Sequence, residues 1–344
     1  MRISRLTVDS LTSGCVTDEA PRFGFALESD LPGEALDTAT ITVGDWTVQT
    51  TEQTGMVYAG PLAPRTAYAV EVAATGTSGT VARAQASFRT GRLGLPWAGE
   101  WITDGAYETP EKQSPVPMVF RRGIPVRPGL VRAWAEITAL GVYELTLNGA
   151  KVGEDYFAPG FTSYAHQIQY QTYELDPMVG ENLVEVTVAG GWAVGSFTHK
   201  RKNKIYADRQ ALLGEIHLAY DDGTVQVIPT GIDWEVSTDG PYRMAEWYDG
   251  ETYDATVTDA QRIWRAATVT RPQGEPRLLA QYGAPVRVQR VFTPVEQTTA
   301  PSGETVYDFG QNFAGVIRAS VRGSAGQTIT FRHAEVLVDG ELFV

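Results

Sequence analysis

The sequence predicts an all-β protein built of tandem β-sandwiches, the last of them incomplete. Two observations carry this. Apolar residues recur at every second position in short runs, as in Tyr68-Ala69-Val70-Glu71-Val72 and Leu183-Val184-Glu185-Val186-Thr187-Val188, which is the period of a strand with one buried face. The runs are punctuated by tight-turn pairs such as Asn148-Gly149, whose residues accept the positive φ a two-residue hairpin needs. Helix signals are scarce. A chain of 344 residues is too long for one ordinary sandwich and suits two or three domains.

Residues 1–91 form the first unit. Phe23-Gly24-Phe25-Ala26-Leu27, Ala39-Thr40-Ile41-Thr42-Val43 and Tyr68-Ala69-Val70-Glu71-Val72 are its strands, and Ser87-Phe88-Arg89-Thr90-Gly91 closes it. Leu62-Ala63-Pro64-Arg65-Thr66-Ala67-Tyr68 sets a proline turn before an aromatic strand. That corner and the closing Phe-x-Thr resemble a fibronectin type III sandwich, a module often used as a spacer. Residues 92–99 read as a short Gly/Pro linker.

The second unit, 95–276, holds seven of the eight tryptophans: Trp97, Trp101, Trp134, Trp192, Trp234, Trp247 and Trp264. Its strands include Met118 to Arg122, Arg132 to Ile137, Tyr143 to Leu147 and Glu215 to Tyr220. In the last, Ile216, Leu218 and Tyr220 face one way, Glu215 and His217 the other. Many short strands with turn punctuation indicate a jelly-roll-like sandwich of the carbohydrate-binding kind.

Residues 277–344 read as the start of a third sandwich. Strands are expected at 286–292, 316–321 and 327–333, too few to close one. The apolar end Leu342-Phe343-Val344 reads as a truncation, or as a domain completed by another chain. An open sheet edge could equally pair with a second copy in a homodimer.

The chain has 28 basic and 41 acidic residues, a net charge of −13, which argues against nucleic acid or an anionic membrane as partner. The single cysteine, Cys15, excludes an internal disulfide and reads as a buried inert thiol. No apolar run approaches a signal core or a membrane span, so a cytoplasmic location is the default expectation. His166, His199, His217 and His333 lack zinc spacing. No phosphate loop or Gly-x-Ser-x-Gly elbow is present.

Several residues have two readings. Asn148-Gly149 is first a type I′ turn and second a sugar contact. Trp192, between glycines and the basic run Lys200-Arg201-Lys202-Asn203-Lys204, is a corner tryptophan or a ring that stacks on a sugar. The basic run is a solvated loop or a contact to an acidic surface. Trp247, Tyr248 and Tyr253 surround Asp249, Glu251 and Asp254; aromatics beside carboxylates are how sugar sites look, and Asp249-Gly250 is also an ordinary turn.

The order Leu147-Asn148-Gly149, Ala158-Pro159-Gly160-Phe161-Thr162-Ser163-Tyr164, Tyr170-Gln171-Thr172-Tyr173, Gly190-Gly191-Trp192, Tyr248-Asp249-Gly250-Glu251-Thr252-Tyr253-Asp254-Ala255 and Tyr307-Asp308-Phe309-Gly310-Gln311-Asn312-Phe313-Ala314-Gly315 resembles the bacterial α-L-rhamnosidases, in the modules before their catalytic domain. The resemblance implies an inverting glycoside hydrolase that removes terminal α-L-rhamnose from glycosides, with two carboxyl groups on an (α/α)6 barrel. Such chemistry needs the two groups roughly 6.5–9.5 Å apart. The barrel's helices are absent from this sequence, so no carboxylate here receives a catalytic role. The isolated chain is expected to be inactive, with its missing catalytic domain as partner.

The resemblance also implies an accessory sugar contact, with Asn148, Trp192, Trp247, Asp249 and Glu251 as candidates. In some family members the corresponding module binds L-rhamnose through calcium, which would place oxygen donors at Asn148, Glu154 and Asp155, and at Ser196 with nearby carbonyls. The sequence departs from that pattern at Leu147 and at the cation-repelling basic run. Two other readings stand beside the enzyme fragment: a stand-alone carbohydrate-binding module, and a structural or adhesive protein.

Overall fold

The computed structural model describes residues 1–197 and 200–343; His199 lies outside them. The all-β expectation holds. Among the described residues the helical content is one turn, Gly191–Val194, and one 3-10 turn, Asp259–Gln261. The chain falls into two compact units, Met1–Arg287 and Val288–Val344.

The first unit contains two sandwiches. In the first, Arg2–Val8, Arg22–Glu28 and Met56–Val57 form a three-stranded sheet. It faces a five-stranded sheet of Cys15–Thr17, Val81–Thr90, Ala67–Gly76, Leu36–Val43 and Trp46–Thr50. Alternation decides which side chains meet: Phe23 and Phe25 pack into one core with Ile41, Val70, Val72 and Phe88. Tyr68, from the proline corner, stacks on Phe88 at 5.0 Å between ring centroids.

In the second sandwich, six strands run in the order Ala150–Lys151, Val142–Leu147, Gly180–Ala189, Met118–Val126, Glu235–Ser237 and Arg265–Ala266. The opposing sheet is built on Ala211–Tyr220, Leu130–Leu140 and Gln167–Leu175. Its inner face, with Ala133, Ala135, Ile137, Ile216 and Leu218, packs on Phe120, Leu145, Val184 and Val186. Its outer face carries Glu136, Glu215, His217 and Tyr170, and these are buried too. A sheet covered on both faces needs a second layer, and here the first sandwich's exit segment supplies it.

Asn148 and Gly149 have φ of +52° and +78°, as a type I′ hairpin requires. The 92–99 segment, expected as a short Gly/Pro linker, is anchored to both sandwiches. Arg92 is buried, its N–H donates to the Tyr170 hydroxyl at 2.8 Å, and the N–H of Leu93 donates to Asp18 at 2.7 Å. The expected start of the third unit also needs correction. Arg277–Ala280 runs parallel to Gln167–Leu175 and extends the second sandwich, with the N–H of Ala280 bound to Asp18.

In the second unit, Glu296–Thr299 pairs with Thr305–Asp308, and Leu337–Val338 with Glu341–Leu342. The strands expected at 286–292, 316–321 and 327–333 are not formed. Their alternation is real, but Val288, Val316, Val321, Ile329 and Phe331 are exposed. A strand is stabilised by a paired ladder and a covered face; 286–292 has a single bridge, Val286 to Tyr156, and the described residues of 316–321 and 327–333 form no ladder.

Candidate functional site

One end of the second sandwich gathers aromatic rings from three loops. Trp247 sits in the turn between Tyr242–Glu246 and Gly250–Tyr253. Its ring meets Phe157 edge-on at 4.4 Å and Trp192 at 5.1 Å. Phe161 extends the cluster, 5.8 Å from Trp192 and 5.6 Å from Phe197. Phe157 has a φ of +58°, a region a bulky residue enters only where its surroundings over-determine it. The rings are not sealed in the core: Trp247 is 45% exposed, Phe161 51% and Tyr248 55%.

Two carboxyl groups lie under and beside these rings, in opposite states. Glu246 is 7% exposed and packs on Gly195, which has no room for a Cβ there. Burial raises its pKa and nearby Asp249 adds to this. The N–H groups of Trp247, Tyr248 and Ser196 oppose the rise without closing well-formed hydrogen bonds, and the carboxyl stands at about 7. Asp249 is held below the usual carboxylate range, first by the Ser114 hydroxyl (2.6 Å), with help from Ser196 (3.1 Å) and Arg201 (2.8 Å). Opposed pKa values can mark an acid–base pair. Here one carboxyl is covered, and both oxygens of the other are engaged by protein.

A second cluster joins the two sandwiches. Glu136 and Glu215 are cross-strand neighbours, and His217 is two residues from Glu215 on the same face. Ligand atoms of the three lie within 4.8 Å of one another, a spacing a metal could use. Two guanidinium groups already fill this role. Arg65 donates to both oxygens of Glu136 at 2.8 Å. Arg92 binds Glu136 and also donates to Glu215 at 2.9 Å. His217 stacks on Trp134 at 4.7 Å. The arginines supply the positive charge a metal would bring.

Of the residues singled out in the sequence, the structure brings Trp192, Trp247 and Asp249 together. Glu251 stands exposed across the hairpin from Ala245. Asn148 closes its own turn: its amide oxygen accepts the N–H of Leu183 at 2.8 Å and its amide nitrogen donates to Asn182 at 2.9 Å. Asp155 is bound by Arg287 at 2.6 Å, and Glu154 is exposed. Calcium needs six to eight converging oxygens. Asn148 and Asp155 are already committed to protein partners, so as placed these residues do not fit the ion.

Sequence reading missed Phe157, Phe197, Glu246 and Ser114 at the aromatic patch, and the entire Arg65–Arg92–Glu136–Glu215–His217 network. A signal for the latter existed: charged residues alternate with apolar ones in both central strands of a sheet, where one strand's polar face would usually meet water.

Three family models match the chain in sequence. Residues 3–94 match a Rha78A-like N-terminal immunoglobulin domain, 129–290 an α-L-rhamnosidase N-terminal domain, and 298–344 a bacterial α-L-rhamnosidase concanavalin-like domain. The chain carries the N-terminal modules of the α-L-rhamnosidase family. Its first module is matched as immunoglobulin-like, an architecture fibronectin type III domains share.

Among curated α-L-rhamnosidases, the protein of Streptomyces avermitilis is 39% identical over 224 residues, covering 62% of this chain and 22% of its own length. That of Alteromonas sp. is 27% identical over 277 residues, covering 72% of this chain and 29% of its own length. The chain thus spans between a fifth and a third of these rhamnosidases. The crystal structure of native α-L-rhamnosidase from Aspergillus terreus superposes with a TM-score of 0.83 at 27% identity, covering 99% of this chain and 42% of that one. The S. avermitilis α-L-rhamnosidase complexed with L-rhamnose shares the fold, with a TM-score of 0.78 at 22% identity, covering 99% of this chain and 52% of that one.

Proposed function

We propose that this chain is the N-terminal part of an enzyme that hydrolyses terminal α-L-rhamnose from glycosides, and that it serves there as a rigid scaffold for the catalytic domain. The observation that carries the reading is the succession of three rhamnosidase-family domains along one chain. The scaffold role rests on the buried arginine–glutamate network, which ties the first two modules into one unit.

The carboxylates of this chain do not suit the hydrolytic step. An acid and a base flanking a glycosidic bond need separate environments and room for water. Glu136 and Glu215 share the same guanidinium and are sealed between modules. The test is release of p-nitrophenol from p-nitrophenyl α-L-rhamnopyranoside. The full-length protein is expected to release it and the 344-residue chain alone is not. A full-length protein without rhamnosidase activity, or an active isolated chain, overturns the proposal.

A further inference from the structure

We infer that the outer edge of strand Trp46–Thr50, in the first sandwich, is a self-association site, where a second copy of this chain adds the same strand antiparallel about a two-fold axis at Val48.

An unpaired strand edge is a template for another strand, and proteins blunt such edges with charge, proline, bulges or short length. The edges of the two sandwiches show these devices. Arg2–Val8 carries Arg2 and Arg5, with a register shift between Ile3 and Arg5. Val225–Pro229 ends in proline, and Arg277–Ala280 begins with arginine. Other edge strands are two or three residues long. Trp46–Thr50 is the exception. Its five residues are Trp, Thr, Val, Gln and Thr, of which Trp, Thr and Val favour strands. It has no charge and no proline, and its pairing with Leu36–Val43 runs without a bulge. Among the described residues no strand pairs with its other side.

Both faces of the strand suit a copy of itself. Trp46 and Val48 are half-buried at the rim of the first core, where Trp46 meets Tyr58 edge-on at 5.0 Å. Pairing about Val48 sets this residue against the partner's Val48 and Trp46 against the partner's Thr50, which extends the core across the junction. Thr47 and Gln49 are exposed on the opposite face, and the Thr47 hydroxyl lies 3.4 Å from that of Thr42. In the dimer Thr47 faces the partner's Gln49, so the row of hydroxyl and amide groups continues across the seam.

The edge is also where two copies of an acidic chain can meet. At a net charge of −13 they repel at long range. Residues 46–51, between Asp45 and Glu52, are all neutral. The two-fold register places Asp45 opposite the partner's Thr51 and Glu52 opposite the partner's Gly44, so no carboxylate faces another.

The experiment is sedimentation velocity of the 344-residue chain from about 1 μM to about 1 mM. So short an edge buries little area, and the expected result is a dimer that dissociates on dilution. Thr47→Glu combined with Gln49→Glu sets glutamate against glutamate and should weaken association about tenfold or more. Thr47→Lys combined with Gln49→Glu sets lysine against glutamate at the same positions and should restore it. Melting midpoints check that both variants fold. Hydrogen exchange of the unsubstituted chain reads the same contact without a variant: the amides of residues 46–50 should gain protection as concentration rises. A chain that stays monomeric throughout the series overturns the inference. So does a dimer that the two glutamates leave intact, which places the contact on another surface. Loss of the dimer in both variants overturns the two-fold register.

Discussion

Glu136 and Glu215 stand directly opposite each other on neighbouring strands, and both are buried. Like charges in that register destabilise a sheet, and burying them adds a desolvation cost. What makes the pair tolerable comes from outside the sandwich: Arg65 from the corner of the first module and Arg92 from its exit. The second sandwich therefore depends electrostatically on the first, although the two have separate cores.

Removing Arg92 should be costly. Arg92→Ala leaves two buried carboxylates with Arg65 as their one guanidinium partner, beside His217 and the N–H groups of Ala98 and Gly99, and breaking a buried pair from one side costs about 3–5 kcal/mol. A large fall in the urea midpoint of the chain is expected. Adding Glu215→Gln to that variant should recover part of the loss, since it removes one uncompensated charge. A fall that Glu215→Gln does not relieve would assign Arg92 a packing role alone.

Acid should act on the same contact. Burial alone would raise the Glu215 carboxyl, but hydrogen bonds from His217 and Arg92 outweigh it and hold the group at about 2. Glu136 is lowered as well, with Arg65 overcoming its burial. A depressed folded pKa gives stability that is present above the ordinary value of 4.5 and lost as pH falls through the folded one. The melting midpoint should drop between about pH 4.5 and 2, and Arg92→Ala should flatten that slope.

Glu246 should act with the opposite sign. Its folded pKa is raised from 4.5 to about 7, so its contribution is fully present below 4.5 and is lost as pH rises through 7. Glu246→Gln mimics the neutral form. It should leave the melting midpoint at pH 5 nearly unchanged and raise it at pH 8. Equal midpoints for the two proteins at pH 8 would show that ionised Glu246 is not destabilising.

Asn148 should behave as a turn residue. Asn148→Ala places a Cβ-bearing residue without a compensating amide at φ +52° and strips the bonds to Leu183 and Asn182. The expected loss is about 1–2 kcal/mol, read from denaturant unfolding. Adding calcium or chelator should leave the midpoint of the unsubstituted chain where it is. A calcium-dependent rise would mean that Asn148 and Asp155 rearrange around the ion.

At Gly91 the modules approach too closely for a side chain. A Cβ there would collide with the hydroxyl of buried Tyr170 and with Asp18. Gly91→Ala should destabilise the chain by about 1–3 kcal/mol, and loss of protection at the amides of Arg92 and Leu93 in hydrogen exchange would locate the damage.

By itself the sequence determined the all-β class, the two complete sandwiches, the type I′ hairpin at Asn148-Gly149 and the family. These are legible because strand periodicity, turn chemistry and motif order are local, each written within a few consecutive residues. It also marked Trp247 and Asp249, since aromatics beside a carboxylate are visible in a row, and Trp192, between its glycines and the basic run. Only the tertiary structure decided that Arg65 and Arg92 neutralise Glu136 and Glu215, across 71 and 123 residues in the pairs Arg65–Glu136 and Arg92–Glu215. It alone showed that Phe157 and Phe161 complete the aromatic patch, that Asn148 and Asp155 are already engaged, and that 316–333 lacks strands. The physical reason is common to all of these. Period-2 alternation says that a strand has two faces, but what covers each face depends on partners distant in sequence.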